Sequence, residues 1–177
     1  AKDVSKAMDI SAKVLGIRPG MPAEELLNDP QKDSVVSYVS DFRALERQQQ
    51  LLSWLNGKIS TYGVNAKDLS GSFRDPKVVN ALVKSFDKES IDLSSIGKKS
   101  KTEDAQDALD VADQVLKIPS ILSGAAMVEA VEPDADLIYE YVAQFRDAER
   151  KADLLSWLNL RLAPFNCSAA NFTSSFQ

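Results

Sequence analysis

The sequence contains no histidine, the side chain that most often serves as a general base near neutral pH. It has one cysteine, Cys167, so no disulfide can form within the chain. No run of about 18 apolar residues predicts a membrane-spanning helix. Histidine-based triads and histidine-ligated zinc sites are therefore excluded, and we expect a reduced, cytoplasmic protein without a transmembrane segment.

Glycine and proline are also scarce, with seven of each among 177 residues, which excludes collagen-like and low-complexity classes. A chain that is 44% hydrophobic and 27% charged can bury a sizeable core. The net charge of −5 argues against broad electrostatic binding of nucleic acid or an anionic bilayer. We expect a folded, soluble protein with no nucleic-acid partner, whose contacts with any acidic partner are local.

An internal repeat organises the chain. The segment LLSWLN occurs at residues 51–56 and again at 154–159, an offset of 103, which also aligns Tyr38 with Tyr141. A second match aligns residues 4–17 with 105–118. A period near 103 has the size of a small domain. The sequence predicts a tandem array that begins and stops within a domain: residues 1–47 end one unit, 48–148 form a complete unit, and 149–177 begin another.

Helical periodicity runs through the complete unit. The first helix starts near Arg47 and carries apolar residues at helical spacing, which places both Trp54 and its repeat Trp157 in a core. Asp75 and Pro76 predict the cap and first position of the next helix, Thr102 the cap of a long helix that Pro119 ends. Inward positions are predicted at Leu51, Leu55, Ile59, Val78, Val79, Leu82, Val83, Phe86, Ala105, Ala108, Leu109, Val111, Ala112, Val115, Leu116, Leu137, Tyr141, Val142 and Phe145.

No segment shows sustained strand-type alternation, so the predicted class is all-α. Neither junction between units contains glycine or proline. The sequences SDFRALERQQQLLSWLN and AQFRDAERKADLLSWLN therefore predict continuous helices, which would hold successive domains in a fixed relative orientation.

These elements together resemble a known family. The opening LLSWLN helix, the VNAKDLSGSFRDP segment, the VVNALVKSF, DAQDALDVADQVLKIP and DLIYEYVAQF helices occur in the order typical of the calponin-homology (CH) domain. More narrowly, they resemble the second domain of the paired actin-binding modules of the α-actinin, spectrin, cortexillin and filamin type. The resemblance implies a helical bundle and a non-enzymatic role in binding actin filaments.

Two features depart from the family pattern. The usual Trp-x-Asp-Gly is here Phe73-Arg74-Asp75-Pro76. No partner domain of the first type is present, and in the family that domain supplies most of the actin affinity. The resemblance therefore implies a weaker or indirect contact with actin for this chain.

Eleven side chains are candidates for contact with a filament. The resemblance implies an accessory actin contact on the outward face of the first helix, and a lysine group follows in the middle of the full unit, where it could meet an acidic surface. The helix candidates are Gln49, Ser53 and Lys58, repeated as Lys151, Ser156 and Arg161; the lysine group is Lys84, Lys88, Lys98, Lys99 and Lys101.

No pattern in the sequence predicts catalysis, a cofactor or a metal. It contains no P-loop and no Gly-x-Ser-x-Gly elbow, and Asp134, Asp136 and Glu140 lack the spacing of a calcium loop. The leading hypothesis is a cytoskeletal binding protein whose tandem domains bind or crosslink F-actin. Two alternatives remain: a structural component of microtubules or cilia, which the acidic charge disfavours, and a scaffold that binds phosphoinositides through the lysine group.

Overall fold

A computed structural model describes residues 2–17, 22–24 and 32–172. The chain divides into two compact units, Ala1–Gln50 and Leu51–Gln177. Within the described residues the regular elements are helices and no strand is present, so the predicted all-α class is confirmed.

The first unit contains helix α1 (Lys2–Ile10) and the beginning of helix α2 (Lys32–Ile59). A π-helical turn, Ser11–Leu15, follows α1 and ends at Gly16, whose φ of 70° favours glycine. Tyr38 of α2 contacts Phe42 edge-on, with ring centroids 5.1 Å apart, and its hydroxyl lies 2.6 Å from that of Ser11. These contacts fix α2 against the end of α1.

The second unit starts with the remaining turns of α2. Leu51, Leu55 and Ile59 are at most 1% exposed, as their helical spacing predicts. The Asn56-Gly57 pair does not end the helix. Instead, the Asn56 amide donates to the Ala66 carbonyl and accepts from the Ala66 N–H, both at 2.8 Å, which fixes the loop after α2.

Helix α3 (Pro76–Phe86) begins as predicted. Asp75 is the cap and accepts a hydrogen bond from the Lys77 N–H at 3.0 Å. The predicted positions Val78, Val79, Leu82 and Val83 are buried, whereas Phe86 is half-buried. Proline at the first position loses no helical hydrogen bond, because that N–H has no acceptor within the helix.

Helix α4 (Lys101–Gln114) differs from the prediction at both ends. Its cap is Ser100, not Thr102, because Ser100 and Glu103 bond each other's backbone N–H reciprocally. The helix stops before Pro119: Lys117 has a φ of 58°, and the turn lets the Ile118 N–H reach the Ala112 carbonyl at 3.0 Å. As a result Val115, predicted to point inward, is 52% exposed.

Helices α5 (Gly124–Val128) and α6 (Ala135–Leu162) complete the second unit. Asp134 caps α6, and Tyr141, Val142 and Phe145 are buried as predicted. Leu137 is 37% exposed, so its inward position was wrong. Ile138 takes that place, because residues 138, 141, 142 and 145 form one helical stripe.

Both predicted junction helices are unbroken. Helix α2 runs through residues 47 and 48 without interruption, and α6 runs through 148 and 149. The core of the second unit combines residues from every helix of that unit, including Leu55, Leu82, Leu109, Met127 and Phe145. The core thus holds the exposed helix faces and the loop between α3 and α4 in place.

Candidate binding surface

The three candidates on the first helix have different environments. Gln49, in the first unit, and Ser53, in the second, are both exposed. Lys58 is half-buried and lies on the side of α2 that carries Trp54, one turn earlier. Its ammonium group is therefore turned toward the fold, not directed freely outward.

The ammonium group of Lys58 belongs to a cluster with Trp54 and Glu149. One carboxylate oxygen of Glu149 accepts a hydrogen bond from Lys58 Nζ, and the other accepts one from Trp54 Nε1 at 2.7 Å. Lys58 Nζ also lies 6.0 Å from the centre of the Trp54 ring and 5.8 Å from that of Phe86. This Glu149 cluster joins the end of α2 to α6.

The ionisation of Glu149 reflects two opposing effects. Partial burial raises the pKa of its carboxyl group, whereas the hydrogen bonds from Lys58 and Trp54 and the charge of Lys58 lower it. The hydrogen bonds and charge outweigh the burial, so the pKa of Glu149 lies below its ordinary value. Sequence reasoning missed this residue, although the repeat offered a signal, since Glu149 aligns with Glu46 in FRDAER and FRALER.

The repeated candidates on α6 are all exposed. Lys151, Ser156 and Arg161 lie along its final turns, and the Arg161 guanidinium carbon is 5.8 Å from the Trp157 ring centre. Trp157 itself is 55% exposed, so its predicted core position was wrong, and Trp54 is only half-buried. The physical reason is local: Trp54 is covered by Phe86 and Glu149, and the repeat supplies no counterpart of either within residues 149–177.

The lysine group lies at the end of α3, in the following loop and at the start of α4. Lys84 donates hydrogen bonds to the carbonyls of Lys88 and Ile91, which close the turn after α3. Lys99 bonds Asp107 at 2.6 Å, and that bond raises the pKa of the lysine. Both ammonium groups thus have partners inside the domain.

The remaining three lysines present their ammonium groups to solvent. Lys88, Lys98 and Lys101 are exposed, and their ammonium groups make no hydrogen bond or ion pair within the described part of the chain. Carboxylates lie among them: the pKa of Asp92 is lowered by its hydrogen bonds with Ser94 and by the charges of Lys98 and Lys84. The basic surface is therefore smaller than the sequence predicts.

A buried polar anchor holds the loop that carries these lysines. Asp104 is 6% exposed and accepts a hydrogen bond from the Gly97 N–H at 2.7 Å. The Asn80 amide of α3 donates to the carbonyls of Asp104 and Pro76, at 3.0 and 2.8 Å. Because buried polar groups are costly unless hydrogen-bonded, this arrangement fixes the backbone next to Lys98.

Neither a metal site nor a membrane span is found in the described ranges. Across residues 2–17, 22–24 and 32–172, no three acidic or cysteine side chains are grouped so that they could hold a metal ion. No helix in this part of the chain is both long and apolar enough to cross a membrane.

Comparisons with known proteins agree with the helical architecture. The family model of the calponin homology (CH) domain matches residues 45–151. Nesprin-2 of Homo sapiens is 29% identical over 130 residues, which cover 66% of this chain and 2% of that protein. Alpha-actinin A of Dictyostelium discoideum is 32% identical over 113 residues, covering 62% of this chain and 13% of that protein. The human [F-actin]-monooxygenase MICAL2 is 31% identical over 109 residues, covering 61% and 6%.

Proposed function

Because this chain belongs to the calponin homology domain family, we propose that it is a non-enzymatic cytoskeletal protein that binds the side of actin filaments. One relative, MICAL2, names F-actin in its own title, and alpha-actinin A is another relative of similar identity. The match to MICAL2 covers only 6% of that protein, so its monooxygenase activity is no guide to this chain. Binding, not catalysis, is the activity that the family resemblance supports.

The observation that carries this proposal is the set of three exposed lysines, Lys88, Lys98 and Lys101, on an anchored loop. The chain carries a net charge of −5, so an acidic filament would be repelled by most of its surface. A local basic patch held by the Asp104 and Asn80 hydrogen bonds supplies the attraction. Ser53 on α2, and Lys151, Ser156 and Arg161 on α6, are further exposed candidates.

We place this activity in the complete domain, residues 48–148, and regard 1–47 and 149–177 as parts of neighbouring domains of the same type. The internal repeat supports this division, and the unbroken helices α2 and α6 support a semi-rigid array. Such an array would crosslink or decorate filaments in the cytoplasm. The chain spans only 2–13% of the length of the relatives named above, so the activity of the whole protein is part of the proposal.

Co-sedimentation of the 177-residue chain with F-actin and, separately, with microtubules tests the proposal. We expect pelleting with F-actin, and a reduction of about tenfold or more in affinity for the Lys88→Glu/Lys98→Glu variant. The matched control is Lys67→Glu/Lys77→Glu, which makes the same charge change at exposed lysines outside the group. Lys99 is left intact because reversing it would also remove its bond to Asp107.

Each alternative function gives a distinct result. Pelleting with microtubules alone would replace actin by tubulin as the partner. Binding to phosphoinositide-containing vesicles without pelleting on either filament would favour the scaffold. Equal loss of actin binding in the double reversal and in its control would show that net charge, not the loop between α3 and α4, governs the interaction.

A further inference from the structure

The first unit contains an apolar groove that has a filled equivalent in the second unit. The groove has a volume of about 580 Å³. Its lining comes from α1, the following turn and α2, and includes Val4, Ala7, Met8, Ser11, Tyr38 and Phe42. The repeat aligns these residues with Ala105, Ala108, Leu109, Ala112, Tyr141 and Phe145, all of which are at most 1% exposed.

In the second unit, the end of α2 covers the equivalent surface. Leu51, Leu55 and Ile59 belong to the same buried cluster as Ala108, Leu109 and Phe145. The residue type and spacing that fill this surface are thus those of an LLSWLN helix. A second helix of this sequence exists in the chain, at the end of α6.

The end of α6 is exposed and already folded. Leu154 is 53% exposed and Trp157 is 55% exposed, although their equivalents Leu51 and Trp54 are buried and half-buried. Asn159 pairs with Ala169 through two hydrogen bonds of 2.9 and 2.7 Å, the same arrangement that Asn56 makes with Ala66. A preformed helix loses less conformational entropy when it binds.

The charges of the two surfaces are complementary. The repeat aligns Glu46, beside the groove on α2, with Glu149, and it aligns Arg161 with Lys58. In the second unit Glu149 accepts hydrogen bonds from both Lys58 and Trp54. Glu46 is exposed and contacts only Gln50 of its own helix, at 3.3 Å, among the described side-chain bonds. It is therefore available to Trp157 and Arg161 of another molecule.

We propose that the groove of one chain binds the exposed end of α6 of a second copy, with Leu154 in the place that Leu51 takes and with Trp157 and Arg161 bonded to Glu46. The two surfaces are different, so the contact is head-to-tail. Every bound copy leaves one groove and one helix end available, and such a contact extends beyond a dimer unless a ring closes. The chain thus assembles lengthwise by completing its repeat between molecules.

Sedimentation of the full 177-residue chain over about 1 μM to about 1 mM tests the proposal. The weight-average mass is expected to rise with concentration and to exceed that of a dimer. Glu46→Lys and Arg161→Glu are each expected to weaken association by about tenfold, and the Glu46→Lys/Arg161→Glu double variant is expected to recover most of it. A monomeric mass throughout, or a double variant as weak as either single one, would overturn the proposal.

A matched pair of leucines separates this contact from general stickiness. Leu154 aligns with buried Leu51, whereas Leu160 aligns with exposed Gly57, yet Leu160 is the more exposed of the two at 72%. Leu154→Ser is expected to weaken association by about tenfold, and Leu160→Ser to leave it unchanged. If both substitutions weakened association equally, or if neither did, the helix would not bind in the register that the repeat assigns.

Discussion

The hydroxyl groups of Ser11 and Tyr38 lie 2.6 Å apart in the first unit. The repeat aligns this pair with Ala112 and Tyr141, so the second unit has a methyl group where the first has a hydroxyl. The surroundings match, since Tyr141 contacts Phe145 edge-on at 5.3 Å, as Tyr38 contacts Phe42 at 5.1 Å. The buried Tyr141 hydroxyl consequently has no hydrogen-bond partner among the described residues.

Restoring the missing hydroxyl should stabilise the second unit. In Ala112→Ser, the new hydroxyl is expected to bond Tyr141 and to raise the free energy of unfolding by about 1 kcal/mol. Urea unfolding followed by circular dichroism measures the change. Tyr141→Phe, which removes the unpartnered hydroxyl, is expected to be neutral or slightly stabilising, whereas Tyr38→Phe should destabilise the first unit. A large loss of stability in Tyr141→Phe would mean that the hydroxyl has a partner after all.

Gly124 marks the closest approach of α5 to α4. A Cβ at this position would lie 2.5 Å from the Thr102 carbonyl oxygen and 2.8 Å from the Gln106 nitrogen. Because both are backbone atoms, the helices would have to separate. Gly124→Ala is expected to lower the free energy of unfolding by about 3 kcal/mol, measured by urea titration.

The control for this substitution is Gly57→Ala. A Cβ at Gly57 meets nothing within 4 Å, and the residue lies inside α2. Alanine has the higher helix propensity, so this variant should be more stable than the parent by about 0.5–1 kcal/mol. Destabilisation of both variants to the same extent would rule out the steric explanation for Gly124.

Sequence patterns predicted the features that depend on neighbouring residues. The buried positions Leu51, Leu55 and Ile59 follow from helical spacing, and the start of α3 follows from Asp75 and Pro76. The inward position assigned to Leu137 was wrong, because periodicity alone does not distinguish it from Ile138 at the edge of the same stripe.

Contacts between distant segments were less accessible. Lys58 was predicted to face outward, but Glu149 lies 91 residues away in sequence, and nothing in the local pattern of α2 indicates that contact. Lys99 resembles its neighbour Lys98 in sequence, yet it bonds Asp107. Separating the free lysines from those with partners requires the path of the loop between α3 and α4.

The Glu149 cluster should make stability depend on pH. The pKa of Glu149 is lowered by folding, so its contribution is fully present above its ordinary pKa of 4.5 and is lost as pH falls through the lower folded value. Glu149→Gln is expected to cost about 1 kcal/mol at pH 7. This difference from the parent chain should disappear in acid, as measured by unfolding from pH 7 to about pH 3.

Glu140→Gln provides the comparison for this experiment. Glu140 is also on α6 but is exposed, and no side-chain partner is found for it in the described part of the chain. Its substitution should leave the pH dependence of stability unchanged. A pH profile of Glu149→Gln parallel to that of the parent would show that the carboxylate does not stabilise the fold through its charge.

Ionic strength should distinguish the lysine loop from the first helix as the filament contact. Between about 0.1 M and about 1 M salt the Debye length falls from about 10 Å to about 3 Å, so attraction through Lys88, Lys98 and Lys101 should weaken markedly. Affinity measured by co-sedimentation is therefore expected to fall with salt, and to fall less steeply for Lys88→Glu/Lys98→Glu. Affinity that did not change with salt in either protein would point instead to an uncharged contact through α2 residues such as Ser53, because screening does not act on apolar and neutral polar interactions.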